Sequence, residues 1–164
     1  MEIANEKKIA GLVQFLRKGR TMTGRFRLPM SDEQAYEYLL AAYIMEVQLR
    51  YRRFIYNGFV EEQLKQIANC LTVNTAKFGL VLCGGCGNGK TTMLKALQNL
   101  VRRLEILKPN LSPNAGHSSD NYYSFTIVNA MQIVQIRKTD YNKFCKLAEA
   151  DILGIDDIGT EPAE

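Results

Sequence analysis

The sequence predicts an α/β fold, in which a parallel sheet with flanking helices follows a helical N-terminal region. A short apolar run at residues 80–82 precedes a glycine-rich loop and then an apolar pattern with helical spacing. Two more runs, at residues 122–128 and 152–155, have the length and composition of strands. The chain before residue 57 has the three- and four-residue apolar spacing of helices.

The N-terminal third is predicted to contain two helices. Apolar residues recur at helical spacing over residues 9–16, and this pattern stops near Gly19. Ser31-Asp-Glu-Gln34 has the form of a capping box, which marks the start of a second helix. The apolar and aromatic residues of this second helix continue at three- and four-residue steps from Leu40 to Phe54.

The positive charge of the chain is concentrated in the same third. Residues 1–56 contain ten Lys and Arg against six Asp and Glu, whereas residues 57–164 contain eleven of each. Asn57-Gly58 breaks the helical pattern, so we place the boundary between a helical basic region and the α/β core there. The densest segment has no acidic residue, and its basic residues are Arg17, Lys18, Arg20, Arg25 and Arg27.

This basic segment can contact the phosphates of single-stranded DNA, with Phe26 available to stack on a base. The charge pattern alone favours a solvated loop between two helices.

A second basic cluster, Arg50, Arg52 and Arg53, lies near the predicted C-terminal end of the second helix. There it complements the helix dipole, which explains the cluster without a ligand.

The glycine-rich loop carries the most specific pattern of the chain, because residues 84–91 fit G-x-x-x-x-G-K-[ST] at every fixed position. Glycines let successive N–H groups turn inward, and the following helix adds partial positive charge, so the loop suits anionic oxygens. We predict that Lys90 reaches the β- and γ-phosphates of a nucleotide and that Thr91 binds Mg²⁺. The predicted cofactor-binding residues are Gly84, Gly85, Cys86, Gly87, Asn88, Gly89, Lys90, Thr91 and Thr92.

Cys83 and Cys86 form a C-x-x-C pattern, which also occurs in zinc sites and redox pairs. A zinc site needs two further ligands, and Cys70, Cys145 and His117 have no second paired spacing. We therefore interpret Cys83 as the end of a strand and Cys86 as a small loop residue.

Composition places the chain among ordinary globular proteins, with 46% hydrophobic and 23% charged residues. No apolar run approaches the roughly 18 residues of a membrane span, and the N-terminus has no apolar signal region. Four scattered cysteines indicate a reducing compartment. We therefore expect a cytoplasmic protein without a membrane partner.

Two carboxylates follow the third predicted strand. In open parallel sheets, ligands bind at the carboxyl ends of strands, where Asp156 and Asp157 are predicted to lie. We predict that Asp156 binds Mg²⁺, and that Asp157 orients an attacking water and helps to deprotonate it. Two aspartates at a strand end also fit a turn or a helix cap, and the loop at residues 84–91 favours the catalytic interpretation.

Residues 83–92 and residues 155–162, which read I-D-D-I-G-T-E-P, together resemble bacterial replicative-helicase loaders and IstB-like transposition helper ATPases. Both belong to the AAA+ group of P-loop ATPases, and the resemblance covers roughly residues 57–164. It implies ATP and Mg²⁺ as cofactors, ATP hydrolysis with Lys90 and Asp157 as catalytic residues, and assembly into a homo-oligomer. It further implies delivery of a replicative helicase or transposase to single-stranded DNA.

The chain departs from this group in some respects. Asp157 stands where many members have Glu, and Gly154 interrupts a strand that is usually aliphatic. The sensor residues and the arginine finger of the group lie beyond Glu164, so the resemblance implies truncation after the Walker B motif and little turnover by this chain alone. In AAA+ ATPases, a further strand lies between the strand that would carry Val81 and the strand that would carry Asp156. In P-loop kinases, the two corresponding strands are direct neighbours.

Two alternatives remain open at this point. A P-loop kinase of small metabolites shares the phosphate loop, but the sequence has neither an arginine-rich lid segment nor an acceptor motif. A nucleotide-gated module that binds DNA or protein without turnover shares both the loop and the basic N-terminal region.

Overall fold

A computed structural model describes residue 9 and residues 11–15, 26–73, 79–85, 87–109 and 118–160. Residue 9 and residues 11–15 are helical. The elements that follow are α1 (Asp32–Gln48), α2 (Gly58–Thr72), α3 (Lys90–Leu104), a 3₁₀ turn (Ser119–Asn121), β1 (Phe125–Asn129), α4 (Ala130–Thr139), α5 (Tyr141–Ala148) and β2 (Ile152–Asp156).

Helix α1 begins at the predicted capping box. The Ser31 hydroxyl accepts a hydrogen bond from the Gln34 backbone N–H, and the Gln34 side chain accepts one from the Ser31 N–H. The predicted C-terminal end is wrong, because α1 ends at Gln48 and Tyr51 adopts the left-handed conformation with φ of 55°. The chain reverses there, and the Phe54 ring packs edge-on against Tyr43 with the ring centroids 6.0 Å apart. Aromatic residues at helical spacing can therefore come into contact through a turn of the chain instead of lying on one face of a helix.

The hydrophobic core lies among α1, α2 and α3. Leu39 of α1 and Leu64 of α2 are fully buried, and Met93 and Leu97 of α3 are nearly so. Since α1 precedes residue 57 and the other two helices follow it, residues on both sides of the predicted domain boundary share one core. The Asn57 side chain at that boundary caps α2 by accepting from the Val60 N–H at 2.8 Å.

Strands β1 and β2 form a parallel pair in which Phe125 lies opposite Ile152 and Asn129 lies opposite Asp156. The pair packs on α3, because the Gln98 side chain donates to the Phe125 carbonyl at 2.8 Å. Close packing explains why a glycine stands at position 154. A Cβ at this position would lie 2.8 Å from the Phe125 ring and 2.9 Å from the Leu94 side chain, so a larger residue would push β2 off α3.

The predicted fold class, a P-loop sheet of parallel strands with flanking helices, is wrong. The described residues are mostly helical and contain two strands, β1 and β2. Residues 79–83, which carry the predicted phosphate-loop strand, belong to neither strand, and the Val81 side chain is 77% exposed. An apolar run has the residue preferences of a strand, but a strand forms only where a partner satisfies its backbone groups. Within the described part of the chain, residues 79–83 have no such partner.

Candidate functional site

The glycine-rich loop adopts backbone conformations that require glycine. Gly87 and Gly89 have φ of 83° and 81°, in the left-handed region that residues with a Cβ rarely adopt. Gly89 is also the N-cap of α3, where it has no side chain to bond the first N–H groups of the helix. The loop therefore turns sharply and ends at a helix N-terminus whose N–H groups and partial positive charge are directed toward it.

Lys90 closes the loop from its C-terminal side. Its ammonium group donates to the carbonyl oxygens of Gly84 and Gly85, at 2.7 and 2.8 Å. These two bonds hold a positive charge against the beginning of the loop. The Asn88 side chain lies over the same turn, with its Nδ2 atom 3.4 Å from the position of a Cβ on Gly84. Lys90 and Asn88 thus both lie against the beginning of the loop, whereas Cys86 lies outside the described residues.

Thr91 and Asp156 meet across the fold, because Thr91 Oγ1 donates to Asp156 Oδ1 at 3.2 Å. Thr91 is in the first turn of α3 and Asp156 ends β2, so the contact joins the N-terminus of a helix to the carboxyl end of a strand. The sequence assigned both residues to one Mg²⁺ site from separate motifs. The adjacent Thr92 is buried and also lines the cleft beside the loop.

Asp157 is held by three contacts in a strained turn with φ of 55°. Its backbone N–H donates to the Asp156 carboxylate at 3.1 Å, and its carbonyl accepts the Thr160 hydroxyl proton at 2.7 Å. The Asn129 side-chain amide donates to Asp157 Oδ2 at 2.9 Å. One carboxylate oxygen of Asp157 thus has a fixed partner, which orients the group beside Asp156.

Asn129 is a site residue that the sequence reasoning missed. It ends β1 directly opposite Asp156, and it also caps α4 through its contacts with Met131 and Gln132. The signal was present, since Asn129 directly follows the second predicted strand, just as Asp156 ends the third. The rule that ligands bind at the carboxyl ends of parallel strands applies to both positions.

Tyr43 is a second missed residue. Its side chain is 8% exposed, and its hydroxyl oxygen would lie 2.5 Å from a Cβ at Gly89. Burial raises the pKa of the Tyr43 hydroxyl, and the nearby Arg50 guanidinium opposes part of that rise. Helix α1 therefore reaches the last glycine of the loop through one aromatic side chain. No sequence spacing connects two residues this far apart.

The basic segment is mostly beyond the described part of the chain: Arg17, Lys18, Arg20 and Arg25 lie outside it. Arg27 is described, and its guanidinium donates to the Phe26 carbonyl at 2.9 Å. The Phe26 ring packs edge-on against Tyr123 with the centroids 4.9 Å apart. Phe26 therefore already has one aromatic partner, and stacking of its ring on a base stays a prediction.

Cys83 is a free, exposed thiol in the described structure. Among the residues that the structure describes, no group of three or more His, Cys, Asp or Glu side chains is placed to hold a metal ion. Cys86 lies outside these residues, and a Mg²⁺ site with one carboxylate ligand does not need such a group.

A cleft of about 2000 Å³ runs past this site. The loop residues, Lys90, Thr91 and Asp156 lie along it, and Arg50, Arg52 and Arg53 line the same cleft. Its apolar lining includes the exposed Leu80 and Val81, the half-buried Leu82, and Leu153 and Ile155 of β2. The loop and the arginines thus line one broad, half-open cleft.

Comparison of the chain with protein-family models, curated proteins and solved structures finds no match. Within the described residues, no helix combines the length and the apolar character that crossing a membrane requires. The functional interpretation therefore depends on the geometry of the loop, Asp156 and Asp157 and on the motifs that carry them.

Proposed function

We propose that this protein binds ATP with Mg²⁺ at the loop of residues 84–91 and hydrolyses it. The hydrogen bond between Thr91 and Asp156 carries this proposal. The glycine-rich loop assigns the Thr91 hydroxyl to Mg²⁺, and the acidic pair after β2 assigns the Asp156 carboxylate to the same ion. Each motif is weaker evidence alone, but Thr91 Oγ1 and Asp156 Oδ1 lie 3.2 Å apart. A turn or helix cap would explain Asp156 but would not require it to meet the residue after the loop lysine.

The donor set fits Mg²⁺. Thr91 and Asp156 offer hard oxygen ligands, and Mg²⁺ in nucleotide sites commonly takes one or two protein ligands, with phosphates and waters completing the octahedron. When bound, the ion neutralises charge on the β- and γ-phosphates. Lys90, which already lies across the loop, supplies a second positive charge to the same oxygens.

Asp157 is the proposed catalytic carboxylate. Asn129 holds one of its oxygens, so the other remains to accept a hydrogen bond from the attacking water and to take its proton. The group acts in the transition state and contributes little to nucleotide binding. We therefore expect Asp157→Asn to bind Mg²⁺–ATP with unchanged affinity. In the assembled complex with single-stranded DNA and the client protein, where we expect turnover, the same variant should abolish hydrolysis, and normal turnover there would refute the assignment.

The wider role that we propose is that of a cytoplasmic helper ATPase that acts with a replicative helicase or a transposase on single-stranded DNA. The support for it is the resemblance of residues 83–92 and 155–162 to such ATPases. A homo-oligomer is part of the same proposal. For the kinase alternative, we expected the run at residues 79–83 to pair directly with β2, and the two do not pair within the described residues.

The primary test is calorimetric titration with ADP and ATP, with and without Mg²⁺. Lys90→Ala should weaken binding at least tenfold, since hydrogen bonds to charged groups contribute about 1.5–3 kcal/mol and a phosphate would lose its main counter-charge. Lys95→Ala is the matched control, because Lys95 is an exposed lysine of the same helix. Equal affinity for Lys90→Ala and Lys95→Ala would refute nucleotide binding at the loop.

Release of phosphate on addition of single-stranded DNA separates the three candidate functions. A helper ATPase should be stimulated by the DNA, whereas a kinase should be indifferent to it and require a small-molecule acceptor. A nucleotide-gated module should bind ATP and release no phosphate under either condition. The assay should include the client helicase or transposase once one is identified, because helper ATPases act in such complexes.

A further inference from the structure

The turn that ends α1 presents a basic surface, here called the arginine turn: Arg50, Tyr51, Arg52 and Arg53. Backbone hydrogen bonds define this turn, with the Tyr51 N–H donating to the Gln48 carbonyl at 2.9 Å. The N–H groups of Arg50 and Arg52 both donate to the Val47 carbonyl, at 3.2 and 3.3 Å. The left-handed conformation of Tyr51 completes the reversal. The side chains therefore project from a hydrogen-bonded turn.

The arginine turn carries an uncompensated positive charge. All three arginines are exposed, and none of them forms an ion pair with another described residue. The acidic residues on either side in the sequence have other partners, since Glu46 accepts from Asn99 and Glu61 pairs with Lys65. Stabilisation of the helix dipole, the sequence-based explanation, applies to Arg50, which directly follows the C-cap Leu49, and leaves Arg52 and Arg53 unexplained.

Tyr51, which stands between Arg50 and Arg52 in the sequence, adds a stacking surface to the arginine turn. It has the highest exposure among the large hydrophobic residues described as exposed, since its side chain is fully accessible. Exposure of an aromatic ring to water is unfavourable unless a partner covers it, and a ring flanked by cations attracts unpaired bases and phosphates together. An acidic protein segment would use the arginines but would leave the ring without a specific role.

We propose that the arginine turn binds single-stranded nucleic acid, with phosphates on Arg50, Arg52 and Arg53 and a base on Tyr51. A single strand is favoured over a duplex because stacking on Tyr51 needs an unpaired base. The same arginines line the cleft that passes the phosphate loop, so the strand would lie beside the nucleotide site. This surface would be the binding site for the single-stranded DNA of the proposed function. The proposal rests on that function only in naming DNA rather than RNA.

The test measures fluorescence anisotropy of a labelled oligo-deoxythymidine over a range of salt concentrations. The wild-type chain should bind with an affinity that falls with salt by about 0.7 log units per log unit for each phosphate contact. The variant R50Q/R52Q/R53Q should lower this slope by about two units and weaken binding at least tenfold at low salt. R102Q/R103Q is the matched control, because these two arginines are exposed in the last turn of α3.

Tyr51 is tested separately from charge. Tyr51→Ala should weaken binding about tenfold without changing the salt slope, whereas Tyr51→Phe should restore most of the affinity, because a phenyl ring also stacks. Tyr141→Ala is the control, since Tyr141 is an exposed tyrosine on α5. All these positions are exposed, so thermal unfolding should show the same midpoint for each variant.

Three results would overturn the proposal. One is a wild-type salt slope in R50Q/R52Q/R53Q. A second is loss of ADP affinity in that variant with unchanged oligonucleotide binding, which would assign the arginines to the nucleotide. A third is binding of polyglutamate, but not of the oligonucleotide, by the wild-type chain, which would indicate an acidic protein partner. Lys90→Ala should keep oligonucleotide binding while losing ADP, so failure of the ATPase proposal and failure of this proposal are distinguishable.

Discussion

Thr91 Oγ1 donates to Asp156 Oδ1 at 3.2 Å, although the two residues are 65 positions apart in the chain. The contact depends on α3 beginning directly after the loop and on β2 ending at Asp156. In the function that we propose, this hydroxyl and this carboxylate are ligands of one Mg²⁺ ion. The chemistry of this pair is therefore open to direct measurement.

Replacing Thr91 should reduce the Mg²⁺ dependence of nucleotide affinity. Thr91→Val keeps the shape of the side chain but loses the hydroxyl, so we expect Mg²⁺ to raise ADP affinity less in this variant than in the wild type, while Asp156 remains as a ligand. Thr91→Ser is the control, because it keeps the hydroxyl and should keep the full dependence. Calorimetric titration measures both. An unchanged Mg²⁺ effect in Thr91→Val would exclude Thr91 as a ligand.

Gly89→Ala should destabilise the fold and the loop together. The left-handed φ of 81° costs an L-residue about 1–2 kcal/mol, and the new Cβ would collide with the Tyr43 hydroxyl. Adding Tyr43→Phe removes the hydroxyl and should recover the collision part of the loss, while the backbone part stays. Gly79→Ala is the control, since nothing lies within 4 Å of a Cβ there. Urea unfolding gives the free energies, and equal stability of Gly89→Ala and Gly79→Ala would contradict this geometry.

Gly154→Ala tests the packing of β2 on α3. Its Cβ would lie within 3 Å of the Phe125 ring and of the Leu94 side chain, and overpacking of this kind typically costs about 1–3 kcal/mol. Leu94→Ala should relieve part of this cost in the double variant, so the two changes should be non-additive. Unfolding midpoints of the four proteins in the cycle measure the coupling. Full additivity would indicate that β2 does not pack on Leu94.

The free energy of unfolding should depend on pH in the acid range because of Asp151. Burial raises the pKa of Asp151, but hydrogen bonds from Lys108 and Ser124 outweigh it and leave the pKa below its ordinary value. A lowered folded-state pKa stabilises the protein above the unfolded-state pKa of about 3.9, and this stability is lost as the pH falls through the folded-state pKa. Because the pair is partly exposed, we expect about 1 kcal/mol at pH 6.

Asp151→Asn isolates this charge, because the amide oxygen can still accept from Ser124. The stability difference between wild type and Asp151→Asn should be present at pH 6 and should shrink below about pH 4. Lys108→Gln removes the other partner and should reduce the same pH dependence. Urea unfolding at a series of pH values measures it. A difference that grows toward acid pH would have the wrong sign for this assignment.

Local features of this protein were predictable from the sequence because the hydrogen bonds that define them join residues only a few positions apart. The capping box at Ser31 is confirmed, and the predicted strands at residues 122–128 and 152–155 overlap β1 and β2. The positive φ angles of Gly87 and Gly89 follow from the loop pattern in the same way. Capping and turn conformations depend on side chains three or four positions apart, which the sequence displays directly.

The tertiary structure alone decided which distant groups meet. Residues 79–83 have a strand-like composition but no pairing partner among the described residues, so the predicted sheet was wrong. Asn129 reaches Asp157 and Tyr43 reaches Gly89 because strand register and helix packing bring them together. Sequence spacing does not encode such contacts, since they form only after burial of the helix faces has fixed where each element lies.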